Sequence, residues 1–205
     1  MNSLAYFLVQ IVLLTVPILF SLTVHELCHG YSAYLFGDPT PKLARRLTLN
    51  PFRHMDIVGI TLLFLTRSFG WAKPIPVYPG NFDKPKTAML IVALAGPGSN
   101  ITLALLSAAS YQSLSPVLTH TYFHPMLLML MLMIKINLSL AIFNLIPMPP
   151  LDGSHIVKCL LPDHILKKWL MFEPYAFIVV LVFIVTGLFG KAMLPVVNTL
   201  TGLLT

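Results

Sequence analysis

Long stretches of this chain carry no charge. No Asp, Glu, Lys or Arg precedes Glu26, none lies between Thr87 and Ile134, and none between Pro174 and Gly190. A helix that crosses a bilayer needs about 20 apolar residues in succession, and each of these stretches is long enough. The sequence is 57% hydrophobic and 10% charged, against roughly 25% charged in a soluble domain. Too few polar side chains exist to cover a surface in water, so the lipid bilayer is the expected solvent and partner. A length of 205 residues fits one integral-membrane domain, 1–205.

Four spanning helices are expected: Leu4 to Phe36, Thr87 to about Ala109, Pro125 to about Ile146, and about Leu170 to Gly190. The apolar tail from Ala192 to Leu204 is expected to form a fifth, short or interfacial segment, weakened as a helix by Pro195 and Gly202. Residues 57–66, IVGITLLFLT, are apolar but too few to span as a helix. Their β-branched side chains and the following WAKPIPVYPG predict extended chain. Irregular backbone at membrane depth has to be buried in protein or line a wet cavity. A re-entrant loop beside a site is therefore expected. The fold class is an all-α polytopic membrane protein, with about four to six transmembrane helices and a re-entrant β-like loop around 57–78. The N-terminal segment lacks the basic region and cleavage site of a signal peptide, and is expected to be retained.

Basic residues set the orientation, because loops rich in Lys and Arg stay in the cytoplasm. Lys42, Arg45, Arg46, Arg53, Arg67, Lys73, Lys84 and Lys86 cluster between 37 and 86, and Lys158, Lys167 and Lys168 between 150 and 169. The 110–124 connector has none. Regions 37–86 and 150–169 are thus expected on the cytoplasmic side of the inner (plasma) membrane, with the protein multi-pass. The net charge of +6 belongs to this topology. No basic helix with interleaved aromatics points to nucleic acid as a partner. Cys28 and Cys159, the two cysteines, make no disulfide framework and are expected as free thiols.

His25-Glu26-Leu27-Cys28-His29 reads H-E-x-x-H. On a helix, His25 and His29 lie one turn apart on one face, so both imidazoles can grip one ion. Glu26, beside the first ligand, can reach a water on that ion as general base. Zinc takes neutral imidazole and lowers the pKa of bound water towards neutrality. Ionisable residues inside a span are costly and functional by default. The first helix, at about 1.5 Å per residue, is about 50 Å long, longer than a hydrocarbon core of about 30 Å. His25 lies about 30 Å along it, which puts the active site towards the cytoplasmic side.

A third ligand must come from another segment. Asp38, Asp56 and Asp83 sit in basic loops with ready salt-bridge partners, and Asp163 and Glu173 lie near Lys167 and Lys168. Asp152, in NLIPMPPLDGSH, follows the prolines that end the third helix, and Gly153 lets the chain turn sharply there. Asp152 is preferred over His155. Asn137 and Asn144 share a face of the third helix. Asn137 is expected as helix-packing glue, and Asn100 after Gly96-Pro97-Gly98 as a packing residue.

H-E-x-x-H in the first core helix with NLIPMPPLDG far downstream resembles the site-2 protease family of intramembrane zinc metalloproteases. FGWAKPIPV (69–77) and ALAGPGSN (93–100) are similar to its short prokaryotic branch, without PDZ or CBS domains. The resemblance spans roughly residues 20–190. It implies one Zn2+ ion held by His25, His29 and Asp152, with Glu26 as catalytic base and proton donor. It implies that Asn144 helps to hold substrate or stabilise the oxyanion. It also implies that 57–78 is a membrane re-entrant element that pairs with an unwound substrate segment.

The expected function is a zinc-dependent endopeptidase that cleaves a transmembrane segment of a membrane protein substrate. A divalent-metal transporter would want several ligand clusters along a path, and the sequence offers one. A catalytically inactive scaffold that binds membrane helices should have lost a ligand or the base, and none is missing. Nothing in the sequence sets an oligomeric state.

Overall fold

The computed structural model describes residues 3–59, 61, 72–118, 120 and 123–205. Its helices are α1 (Ser3–Leu35), α2 (Thr40–Leu43), α3 (Pro85–Leu114), α4 (His124–Asn144), α5 (Asp152–Leu160), α6 (Asp163–Val185) and α7 (Leu188–Leu204). Among the described residues no strand forms, and one antiparallel bridge joins Met55 to Ala72. Four helices are long and apolar enough to cross a membrane: Ile11–Leu35, Pro85–Leu114, His124–Asn144 and Asp163–Val185. The chain is an all-α polytopic membrane protein.

Helix α3 is the centre of the bundle and packs on α1, α4 and α5. Its buried face is made of small residues, among them Ala88, Ala93, Gly96, Ala104 and Ala108. Small side chains let helix backbones approach closely where lipid offers no hydrophobic contrast. Ala104 and Ala108 meet Ile134 and Leu138 of α4 and Val197 of α7 in one cluster. Helix α6 packs against α7 and turns Phe172, Ile178 and Val182 outward, as a lipid-facing helix should.

Three expectations need correction. The fourth span ends at Val185 rather than Gly190, because Gly187 takes a left-handed backbone (φ 70) and starts a new helix. The tail is a full helix, Leu188–Leu204, with Pro195 inside it. Its Val197 and Thr201 are buried against the bundle, and this packing outweighs the roughly 3 kcal/mol that an interior proline costs. Residues 57–59 and 61 are helical, not extended. Asp56 Oδ1 accepts from Gly59 N–H at 2.9 Å, a cap that starts the turn. The rest of 57–66 lies outside the described residues, as do 67–71, together half of the expected re-entrant loop. Residues 73–78 form no regular secondary structure, and Tyr78 at their end has an extended backbone (φ −113, ψ 102).

The loop acids also differ from expectation. Asp38 is fully buried and, among the described residues, pairs with no base. It accepts from Thr40 N (3.0 Å), Thr40 Oγ1 (2.5 Å), Tyr78 N (2.7 Å) and Asn81 Nδ2 (2.7 Å). It ties the end of α1 to the 73–78 segment. Asp163 pairs with Lys86 and Glu173 with Lys158, rather than with Lys167 and Lys168.

Candidate metal centre

His25 and His29 face the same way from consecutive turns of α1. Their Nε2 atoms lie 3.0 Å apart and their rings meet edge to face at 4.6 Å. Asp152 is the first residue of α5, and its Oδ2 lies 3.2 Å from each Nε2. These three atoms form the one metal-sized group of His, Cys, Asp and Glu found among the described residues.

Gly153 explains how Asp152 arrives there, though not by the expected turn. It is helical, and a Cβ on it would lie 2.3 Å from Ile146 O and 2.5 Å from Leu145 O. Glycine lets α5 start directly against the end of α4. His155, the rival ligand, borders the same cavity but stands outside the group. Burial, and then Lys158 beside it, hold its imidazole below the usual range.

Helix α3 forms the wall behind both histidines. Asn100 Oδ1 lies 2.6 Å from His25 Nδ1, and Val92 O lies 2.7 Å from His29 Nδ1. Gly96 sits between them, one turn from each. A Cβ on Gly96 would lie 2.2 Å from His29 Nε2 and 2.6 Å from His25 Cε1. The sequence reading gave Asn100 a packing role only. The signal that could have found it is the spacing of Val92, Gly96 and Asn100, which aligns them on one helix face.

The donor set suits a cation. Burial alone would raise the Asp152 carboxyl, but the two imidazoles outweigh it and hold Asp152 below the usual carboxylate range. An anionic oxygen and two imidazole nitrogens thus converge. Zinc binds nitrogen and oxygen ligands at about 2.0–2.2 Å, and a tetrahedron of such bonds has edges of about 3.3–3.6 Å. The observed 3.0 and 3.2 Å are close to those edges. Magnesium and calcium prefer all-oxygen sets.

Glu26 borders the same cavity. Its Oε2 accepts from Ile75 N–H at 3.0 Å, and Oε1 has no partner among the described residues. The cavity, about 620 Å³, is walled by α1, the 72–79 segment, α3, the end of α4 and the inner face of α6. Asn144 borders it and donates to Leu140 O at 3.0 Å. A second cavity of about 540 Å³ adjoins it and shares Leu22, Ala72, Leu140, Phe143 and Ile184. Asn137 points elsewhere, to Asn100, Ser21 and Met133.

Residues 112–187 match the model of peptidase family M50, a stretch that holds Asn144 and Asp152. "Putative zinc metalloprotease YwhC" of Bacillus subtilis is 42% identical over 193 residues, covering 90% of this chain and 85% of that one. "Putative zinc metalloprotease Rip2" of Mycobacterium tuberculosis is 31% identical over 140 residues, 66% of this chain and 52% of that one. The Mycolicibacterium smegmatis protein of the same name is 26% identical over 175 residues, 82% of this chain and 64% of that one. No solved structure matches the chain. The convergent His25, His29 and Asp152 beside Glu26, together with these likenesses, show that the chain belongs to peptidase family M50, the site-2 proteases.

Proposed function

We propose that this metalloprotease cleaves peptide bonds within membrane-spanning segments of other proteins, with His25, His29 and Asp152 holding one zinc ion and Glu26 as base. The observation that carries the reading is the convergence of those three ligand atoms beside Glu26, in a cavity walled by spanning helices. A zinc ion bound there supplies a Lewis acid that acidifies a water and polarises the scissile carbonyl.

The rest is done by the chain itself. Glu26, tied through Oε2 to Ile75, keeps Oε1 for the proton of the attacking water. As the C–N bond breaks, the same carboxyl returns that proton to the leaving amine. Asn144 steadies the substrate strand or the developing oxyanion, and its place in the cavity wall supports that role.

A helical substrate hides its carbonyls in hydrogen bonds and has to unwind before it is cut. Residues 73–78 offer it a partner. Ile75 N–H goes to Glu26 and Tyr78 N–H to Asp38, while Pro74 and Pro76 have none. Among the described residues, the carbonyls of 74–77 have no donor. An extended peptide added to this edge regains hydrogen bonds that it lost on unwinding. The two adjoining cavities leave room for such a strand. Lys42, Arg45, Lys84 and Lys86, between the end of α1 and the first turn of α3, support its facing the cytoplasmic side of the inner membrane.

The test is to co-reconstitute the protein with a single-span substrate and map the product ends by mass spectrometry. New termini inside the apolar segment are expected. Termini confined to the water-exposed flanks would overturn the intramembrane reading.

A further inference from the structure

Behind His25 runs a chain of buried amides that leads away from the site. Asn100, Asn137 and Ser21 are each 0% exposed, so no bulk water can stand in for a missing partner. Asn100 Nδ2 donates to Asn137 Oδ1 at 2.9 Å. Asn137 Nδ2 donates to Met133 O and to Ser21 Oγ, each at 2.8 Å.

This chain has a direction, and a backbone carbonyl sets it. Met133 O can only accept, so it must face the NH2 of Asn137. The oxygen of Asn137 then faces Asn100, which must present its own NH2. That leaves the Asn100 oxygen facing His25 Nδ1, 2.6 Å away. An oxygen there requires a proton on Nδ1. In the neutral imidazole the lone pair is then on Nε2, the atom that faces His29 and Asp152. Turning any one amide over would set two donors or two acceptors against each other in a buried place, which leaves buried polar groups unpaired. His29 is set in the same sense by Val92 O, but its partner is backbone and no substitution removes it.

We propose that Asn100, held in orientation by Asn137 and Ser21, is a positioning residue that fixes His25 as the Nδ1–H tautomer and so keeps Nε2 ready as a ligand. The consequence for metal affinity rests on the zinc reading above. The tautomer itself does not. Outer-shell partners of ligand histidines contribute about 10–100-fold in metal affinity.

The test compares wild type, Asn100→Asp and Asn100→Leu in detergent, with 15N-labelled histidine. His25 is followed in metal-free protein over a pH series, and its tautomer is read where its own 15N shifts show a neutral ring. Zinc affinity is measured by competition with a chelator. Wild type is expected to show His25 protonated on Nδ1. Asn100→Leu is expected to show mixed tautomers and about 10–100-fold weaker zinc binding. Asn100→Asp keeps an acceptor towards His25 and should bring back the Nδ1–H tautomer, with zinc affinity above that of Asn100→Leu, although its second oxygen replaces the donor to Asn137 and lowers stability. A metal-free wild type with its proton on Nε2 would overturn the proposal, whatever the variants do. So would a folded Asn100→Leu, verified by helicity, with undiminished zinc affinity. A wild type that carries the Nδ1 proton but binds no zinc would sink the metal reading and leave the tautomer assignment standing.

Discussion

Gly96 leaves no room for a side chain, and this makes it a sharp probe of the metal centre. The Cβ of an alanine there would overlap both imidazoles, yet alanine favours a helix over glycine by about 1 kcal/mol. Gly96→Ala should therefore keep the helix and lose the metal. The expected result is at least about a 10-fold drop in zinc affinity, read as metal content after gel filtration. Gly98 has nothing within 4 Å of its would-be Cβ, so Gly98→Ala should bind zinc like wild type. Side chains such as these mark the limit of what the sequence discloses. The pairing of His25 with His29 was legible because both lie on one helix, where spacing alone sets the face. The contact of Asn100 with His25 was not, because it depends on which face of α3 meets α1.

Asp38 shows the same limit for a loop. Its basic neighbours suggested a surface ion pair, whereas it is a buried acceptor for groups on 40, 78 and 81. Asp38→Ala would leave those buried donors unpaired and should cost about 3 kcal/mol of stability, seen as a lower thermal midpoint in detergent. Burial opposes the charge on Asp38, but the hydrogen bonds from Thr40, Tyr78 and Asn81 outweigh it and hold the carboxyl below its ordinary 3.8. Its stabilisation is thus complete above that value and is lost as the pH falls through the lowered one. Wild type should soften below about pH 4, and Asp38→Ala should lack that part of the acid dependence. Equal acid profiles for the two proteins would contradict this role. The tail helix was misjudged for a related reason. Pro195 and Gly202 argued locally against it, and the packing of Val197 on α3 and α4 decided otherwise.

The bundle as a whole was the most legible part, because lipid permits few solutions. Charge-free runs of helix length mark the crossings, and each of the four spans overlaps one of the three runs, two of them the run from 87 to 134. What brings α1, α3 and α5 together at one point was hidden, since it rests on close approach at Gly96 and Gly153 rather than on any periodicity. The assembled site should act as one device: the proposed ligands, base and substrate edge all border one cavity. The most direct test is cleavage of a single-span substrate in liposomes by wild type and by Glu26→Gln, each carrying matched zinc. Product from wild type alone, abolished by a chelator and restored by zinc, is expected, with Glu26→Gln slower by at least about 100-fold. Equal cleavage by both proteins at equal zinc content would contradict the role of Glu26 and the mechanism built on it.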